Sequence, residues 1–139
     1  MSVKTWLCAL LIAGCNLSTS DTTDDRPETF GFITEAILKP SCATAECHSA
    51  MKAQSTDVFD SVAAARASIH ANQLVFTCEQ LMPAETFPCG DDALNVSYLY
   101  QVIDDKDAEG DRMPRDQALS NKDIVLIREW IRDGADGLN

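Results

Sequence analysis

Two cysteines and a histidine lie close together near the middle of the first half of the chain: Cys42, Cys47 and His48. Two thiols can form thioether bonds with the vinyl groups of a haem, and an imidazole beside the second thiol can bind the iron. The usual attachment motif has two residues between its cysteines, whereas four separate this pair. We predict a covalently bound haem c at these residues. The alternative is a Cys42–Cys47 disulfide, with His48 as an ordinary surface residue.

A methionine far along the chain supplies a candidate for the second axial ligand of the iron. Met113 precedes Pro114, which stiffens the backbone, and its soft thioether suits haem iron. Met82, also followed by a proline, and His70, the only other histidine, remain open as the sixth ligand. Without a sixth ligand, a five-coordinate haem would be open to peroxide or another small molecule.

Cys78 and Cys89 flank a segment that contains two prolines and few other residues that would restrict its conformation. In an oxidising compartment we predict a disulfide between them, which would stabilise the fold by roughly 2–3 kcal/mol. A second metal site is poorly supported, because no histidine lies between the two cysteines.

Residues 1–14 are predicted to be an export signal. Lys4 provides the positive charge that precedes the apolar region of a signal peptide, and the apolar stretch that follows is too short to span a bilayer. It ends with a branched residue, two small residues and Cys15, which resembles the bacterial lipoprotein box. The resemblance implies lipidation of Cys15, and Asn16 in place of aspartate favours the outer membrane over the inner one. The alternative is an ordinary secretory signal with an incidental cysteine.

Residues 15–28 are predicted to be the lipidated cysteine and a flexible acidic tether, because they are rich in Ser, Thr and Asp without apolar periodicity. The folded domain is then 29–139. The chain carries 11 Lys and Arg against 22 Asp and Glu, a net charge of −11. This balance argues against a nucleic-acid partner, and it is compatible with a solvated acidic surface or with a basic-faced protein partner.

Apolar residues recur at helical spacing in the folded part, and no alternating strand pattern is present. Helices are predicted at 29–39, 57–67 and 95–104, with a last one between Ser120 as its N-cap and Gly134 just past its end. Pro40 is expected to end the first helix. The apolar face of the first helix comprises Phe30, Ile33, Thr34, Ile37 and Leu38, and that of the last comprises Ile124, Ile127, Trp130 and Ile131. The fold class is therefore all-α, with about four helices and long loops.

In this order, these features resemble the class I cytochrome c family, and especially the cytochrome c domains of bacterial envelope lipoproteins. The resemblance spans about residues 29–135 and is carried by the first helix, residues 42–48, Ser97-Tyr98-Leu99-Tyr100, Met113-Pro114 and residues 130–135. It implies a cytochrome c-like fold wrapped around one haem, with the last helix crossing the first.

The resemblance also implies a role for each site residue. His48 and Met113 would be the axial ligands, and Cys42 and Cys47 the thioether anchors. The implied function is one-electron transfer at the bacterial cell envelope, between redox partner proteins, rather than enzymatic catalysis. The alternative is a haem-free lipoprotein with a binding or structural role, whose fold is stabilised by disulfides.

Overall fold

The computed structural model describes residues 24–44, 47–51, 56–81, 90–104 and 112–139. These residues form six helices and contain no strand, which confirms the all-α prediction. The helices are α1 (Phe30–Ile33, Thr34–Leu38 and Lys39–Cys42 without a break), α2 (Val62–Asn72), α3 (Cys78–Leu81), α4 (Asp91–Val96), α5 (Tyr98–Asp104) and α6 (Asn121–Arg132). The prediction of about four helices is too low, because α3 and α4 are too short to produce a clear apolar period. Within the same ranges no helix combines the length and apolar character needed to cross a bilayer.

The helix α1 runs on past the proline that was expected to end it. Its middle segment, Thr34–Leu38, is wound as a π-helix, and the N–H of Lys39 donates to the carbonyl of Thr34, five residues back. This wider turn leaves one carbonyl without its usual donor, and Pro40 has no N–H to offer. Because the carbonyl without a donor and the missing N–H of Pro40 occur at the same place, the proline does not break the helix. The helix continues to Cys42, its last residue.

The apolar face of α1 is buried as predicted, and its first residue contacts α6. The five face residues are at most 2% exposed. The rings of Phe30 and Trp130 stack with their centroids 5.8 Å apart. Both residues also donate to the carbonyl of Asp136, Phe30 through its backbone N–H and Trp130 through its indole Nε1. The first and last helices therefore meet at these two rings.

The ends of α6 lie where its sequence predicts them. The hydroxyl of Ser120 accepts the N–H of Asp123 at 3.2 Å, which caps the first turn. At the other end Gly134 has a φ of 105°, and the N–H of Ala135 donates to the carbonyl of Trp130 at 2.8 Å. This hydrogen bond belongs to the Schellman type of helix end, which glycine favours because it adopts positive φ without strain.

Two predicted helices differ from the structure at serine residues. The second begins at Val62 instead of residue 57, because Ser61 is its N-cap and its hydroxyl accepts the N–H three residues on. The helix predicted at 95–104 is divided at Ser97, whose backbone is extended and whose buried hydroxyl accepts a backbone N–H. The break rotates Val96 out of the apolar face, and this side chain is 43% exposed.

Candidate functional site

The chain turns back directly after α1, and backbone hydrogen bonds hold Cys42 and His48 together. The N–H of His48 donates to the carbonyl of Cys42 at 3.0 Å, and the N–H of Cys47 donates to the carbonyl of Thr44 at 3.0 Å. Cys42 and Cys47 are both free thiols, so the disulfide that was the alternative interpretation is not formed in this structure.

The two thiols differ in their surroundings. Cys42 is 6% exposed, and burial raises the pKa of its thiol to about 12, with smaller contributions from Cys47 and from the carboxylate of Asp116. Cys47 is half-buried. Asp116 lines one cavity together with Pro40 and Ser41, so the segment following Met113 comes close to the end of α1, although more than seventy residues separate them in the sequence.

The imidazole of His48 is held from one side by residues 57–59. Its Nδ1 lies 3.2 Å from the carbonyl oxygen of Asp57, and its ring lies against the ring of Phe59 with centroids 5.3 Å apart. The N–H of Phe59 also donates to the carbonyl of His48 at 2.9 Å. A carbonyl oxygen can only accept, so Nδ1 is the donor in this contact. Metal-binding histidines commonly have this arrangement.

A cavity of about 320 Å³ separates the end of α1 from the segment that follows Met113. Met113 itself is partly buried against the hydrophobic core, and its N–H donates to the carbonyl of Val102 at 2.8 Å. Most of the residues around the cavity are polar. One wall is formed by Pro40, Ser41 and Thr44, and the other by Pro114, Asp116, Gln117, Ala118, Leu119, Ser120 and Asp123. Cys42, Cys47, His48 and Met113 adjoin these walls in the chain but do not line the cavity.

The other candidate residues of the sequence have separate positions. His70 contacts the C-terminal segment, with its Nε2 2.9 Å from the carbonyl oxygen of Leu138. Cys78 is disulfide-bonded. Cys89, Met82 and Cys15 lie outside the described residues, so the pairing of Cys78 with Cys89, the alternative sixth ligand and the lipidation stay predictions.

The last residues of the predicted tether contact the folded domain beside the cavity. The guanidinium of Arg26 forms ion pairs with the carboxylates of Asp24 and Asp123. The hydrogen bond from Arg26 lowers the pKa of the Asp24 carboxyl below its ordinary value. Because Asp123 lines the cavity, Arg26 attaches the tether to the cavity wall.

The support of His48 was not foreseen from the sequence. Asp57 and Phe59 were expected in a helix, where the carbonyl of Asp57 would have been used within the helix. One signal in the sequence could have shown that Asp57 and Phe59 lie outside the helix. Ser61 is a favourable N-cap directly before an alanine-rich run, so the helix could have been predicted to begin at Val62. Asp116 carries no comparable signal, because its proximity to Cys42 depends on how distant segments pack.

Haem c, the cofactor predicted from the sequence, would need few ligands from the chain itself. Across the described ranges no group of three or more His, Cys, Asp or Glu side chains is arranged to hold a metal ion. A haem iron takes four of its ligands from the porphyrin and needs only axial ligands from the chain. A single well-oriented histidine is therefore a meaningful donor for haem.

Alkylation of the reduced, haem-free chain should modify Cys47 at least about tenfold faster than Cys42. With a pKa of about 12, only about one Cys42 thiol in ten thousand is ionised at pH 8, and burial also restricts access to it. Iodoacetamide labelling followed by peptide mass mapping measures both rates. Labelling in denaturant is the control and should remove the difference, whereas equal rates in the native chain would contradict the burial of Cys42.

No protein-family model, curated protein or solved structure matches this chain. Its function must therefore be inferred from its own residues.

Proposed function

We propose that this chain is a c-type cytochrome, a one-electron carrier of the bacterial cell envelope with one haem attached through Cys42 and Cys47. The observation that carries the proposal is the orientation of His48. Its Nδ1 faces the carbonyl of Asp57, an arrangement that metal-binding histidines commonly have. The ring of His48 also lies against the ring of Phe59, whose backbone N–H donates to the carbonyl of His48.

The donor set of the region fits haem c. It comprises two free thiols, an imidazole adjacent to the second thiol, and a thioether on a segment that reaches the opposite wall of the same cavity. The stacking of Phe30 on Trp130 further supports a cytochrome c-like arrangement of the first and last helices, in agreement with the family resemblance.

Haem supplies one-electron redox chemistry when it is bound. The residues of the chain would then set the reduction potential of the iron. The hydrogen bond to Asp57 makes the imidazole of His48 a stronger donor, which favours the oxidised iron. The thioether of Met113 favours the reduced iron. The carboxylate of Asp116 on the cavity wall would favour the more positive, oxidised state by its charge, whereas the charge of Asp123 is offset by its ion pair with Arg26.

The proposal extends to membrane attachment and partners. Cleavage before Cys15 would remove Lys4, one of the 11 basic residues, and leave 10 against 22 acidic ones. A lipid anchor at Cys15 would hold the domain at the outer membrane, facing the periplasm or the cell surface. A mature chain of this charge attracts a redox protein with a basic face, through the small and transient contacts that such partners use.

The decisive test is the mass of the mature chain after production in cells with a working haem-attachment system. We expect the mass of one haem to stay with the chain after denaturation. The double variant Cys42→Ser, Cys47→Ser should carry none, and either single variant should keep haem through one thioether in reduced yield. Circular dichroism of each variant is the control for folding. A wild-type chain without the haem mass would contradict the proposal and favour the haem-free lipoprotein.

A further inference from the structure

We propose that the last turn of α1, residues 39–42, is a hinge that opens before Cys42 binds haem, so that Cys47 is attached first and Cys42 second. These four residues are hereafter the hinge turn. The inference rests on the proposed function, because it concerns the two thiols that are assigned there to haem. It adds an order to the two attachments and names the part of the fold that controls the second.

Each attachment is the addition of a thiol to a vinyl group. The sulfur forms a bond to the vinyl carbon next to the porphyrin ring, the hydrogen of the thiol goes to the terminal carbon, and the double bond becomes a single bond. Atoms and electrons balance in this addition without an oxidant or a reductant. Because the chemistry is the same at both cysteines, the accessibility of each thiol decides the order.

The two cysteines differ in how much of them a haem can meet in the folded chain. Cys42 is 6% exposed and belongs to the hydrophobic core, whereas Cys47 is half-buried in the turn that follows α1. The cavity at the end of α1 is lined by Ser41 and Thr44 on either side of Cys42, but not by Cys42. The cavity thus gives access to the neighbours of Cys42 and not to Cys42 itself, and Cys47 is the more accessible thiol.

The backbone fixes Cys42 in this buried position from both sides. Cys42 is the last residue of α1, and its carbonyl accepts the N–H of His48 at 3.0 Å. The rest of the hinge turn has little apolar contact to lose, because Lys39 and Pro40 are exposed and Ser41 is half-buried. Opening of the hinge turn therefore removes one side chain, that of Cys42, from the core.

The hinge turn is also the weakly bonded end of α1. The N–H of Ala43 closes it with a hydrogen bond that is shared between the carbonyls of Leu38 and Lys39, at 3.2 Å to each. Pro40 contributes no N–H, and the π-helical segment 34–38 directly precedes the turn. A turn held in this way opens at a lower cost in free energy than the middle of a regular helix. The proline and the π-helical segment thus lie where α1 has to open.

The first experiment compares two variants that each keep one of the two thiols. The folded, haem-free chain, with Cys42 and Cys47 as thiols and the disulfide of Cys78 intact, is mixed with reduced haem, and mass spectrometry follows covalent attachment. We expect Cys42→Ser to react at the rate of the first wild-type step, and Cys47→Ser at least about tenfold more slowly. Peptide mapping of the wild type should find the single-thioether intermediate at Cys47. An intermediate at Cys42, or equal rates of the two variants, would overturn the inference.

A second set of variants changes the hinge turn and leaves both thiols in place. Pro40→Ala supplies an N–H and a better helix former, so the second attachment should be at least about threefold slower with the first unchanged. Ser41→Gly favours the open turn and should accelerate the second attachment by about the same factor. Pro27→Ala is the matched control, because Pro27 precedes α1, and it should change neither rate. A second attachment that is the same in Pro40→Ala, Ser41→Gly and the wild type would contradict the hinge.

Thiol labelling separates this inference from the proposed function. In the haem-free chain iodoacetamide reaches Cys42 when the hinge turn is open, so the labelling rate of Cys42 should fall in Pro40→Ala and rise in Ser41→Gly, while that of Cys47 stays constant. If no variant and no condition gives covalent haem, the proposed function fails and the order of attachment fails with it. If haem is attached but the labelling of Cys42 is the same in all variants, the proposed function stands and the hinge is wrong.

Discussion

Replacing Met113 by histidine is expected to lower the reduction potential of the haem-bound chain by on the order of 0.2 V, within the range of roughly 0.8 V that axial ligands span. The soft thioether stabilises the reduced iron, whereas a second imidazole stabilises the oxidised iron. The substitution should also remove the weak near-infrared band that marks sulfur bound to ferric haem. Potentiometric titration and the near-infrared spectrum of the oxidised chain measure the two effects.

Two methionine variants make this prediction selective. Met51 lies three residues after His48 and is 90% exposed, so Met51→His changes the same atoms without an expected effect on the potential or the band. Met82→His examines the alternative ligand. If the near-infrared band survives in Met113→His and disappears in Met82→His, then Met82 is the ligand. If no variant changes the spectrum and the wild type lacks the band, neither methionine binds the iron, which leaves His70 as the ligand or the five-coordinate, peroxidase-like alternative.

Replacing Trp130 by alanine is expected to lower the free energy of unfolding by about 3–5 kcal/mol. Trp130 is 1% exposed, stacks on Phe30 at the contact between α1 and α6, and donates its indole N–H to the carbonyl of Asp136. The substitution removes a large buried ring and leaves that carbonyl with one donor fewer. Because small domains are stable by only about 5–15 kcal/mol, the loss is a large part of the total. Urea unfolding followed by far-ultraviolet circular dichroism measures it.

Two further aromatic variants show whether the contact itself is responsible. Tyr98 is 52% exposed, and Tyr98→Ala should change the free energy of unfolding by no more than about 0.5 kcal/mol. Trp130→Phe keeps a stacked ring but loses the hydrogen bond and part of the volume, so an intermediate loss is expected. If Trp130→Ala and Tyr98→Ala were equally mild, the packing of α1 on α6 would not be a main source of stability.

The two sets of variants address different properties of the chain. Met113 is only partly buried and directly precedes Pro114, a residue of the cavity wall, so its substitution should change the potential more than the stability. Trp130 is deep in the core, so its substitution should change the stability first and the haem region only through loss of the fold. The reduction potential and the free energy of unfolding can both be measured on the Met113→His and Trp130→Ala variants, which checks this expectation.

The sequence by itself determined the features that depend on near neighbours along the chain. The predicted apolar face of α1 is buried, and so is that of α6 except for Ile124, which is partly buried. The cap at Ser120 and the turn at Gly134 follow from the side-chain hydroxyl of serine and the backbone freedom of glycine. The adjacency of Cys47 and His48 is likewise a property of the sequence. These predictions succeed because the interactions span only a few residues.

Only the tertiary structure decided what surrounds His48 and the two thiols. The carbonyl that faces Nδ1 is available because α2 begins at Val62 rather than residue 57, and α2 in turn holds the segment that bears this carbonyl. The burial of Cys42 beside Asp116 and the division of the predicted helix at Ser97 also depend on segments far apart in sequence. Local periodicity carries no information on such pairs, since their proximity is set by the packing of the whole domain. The Cys42, Cys47 and His48 cluster could be read from the sequence, but the orientation of its imidazole could not.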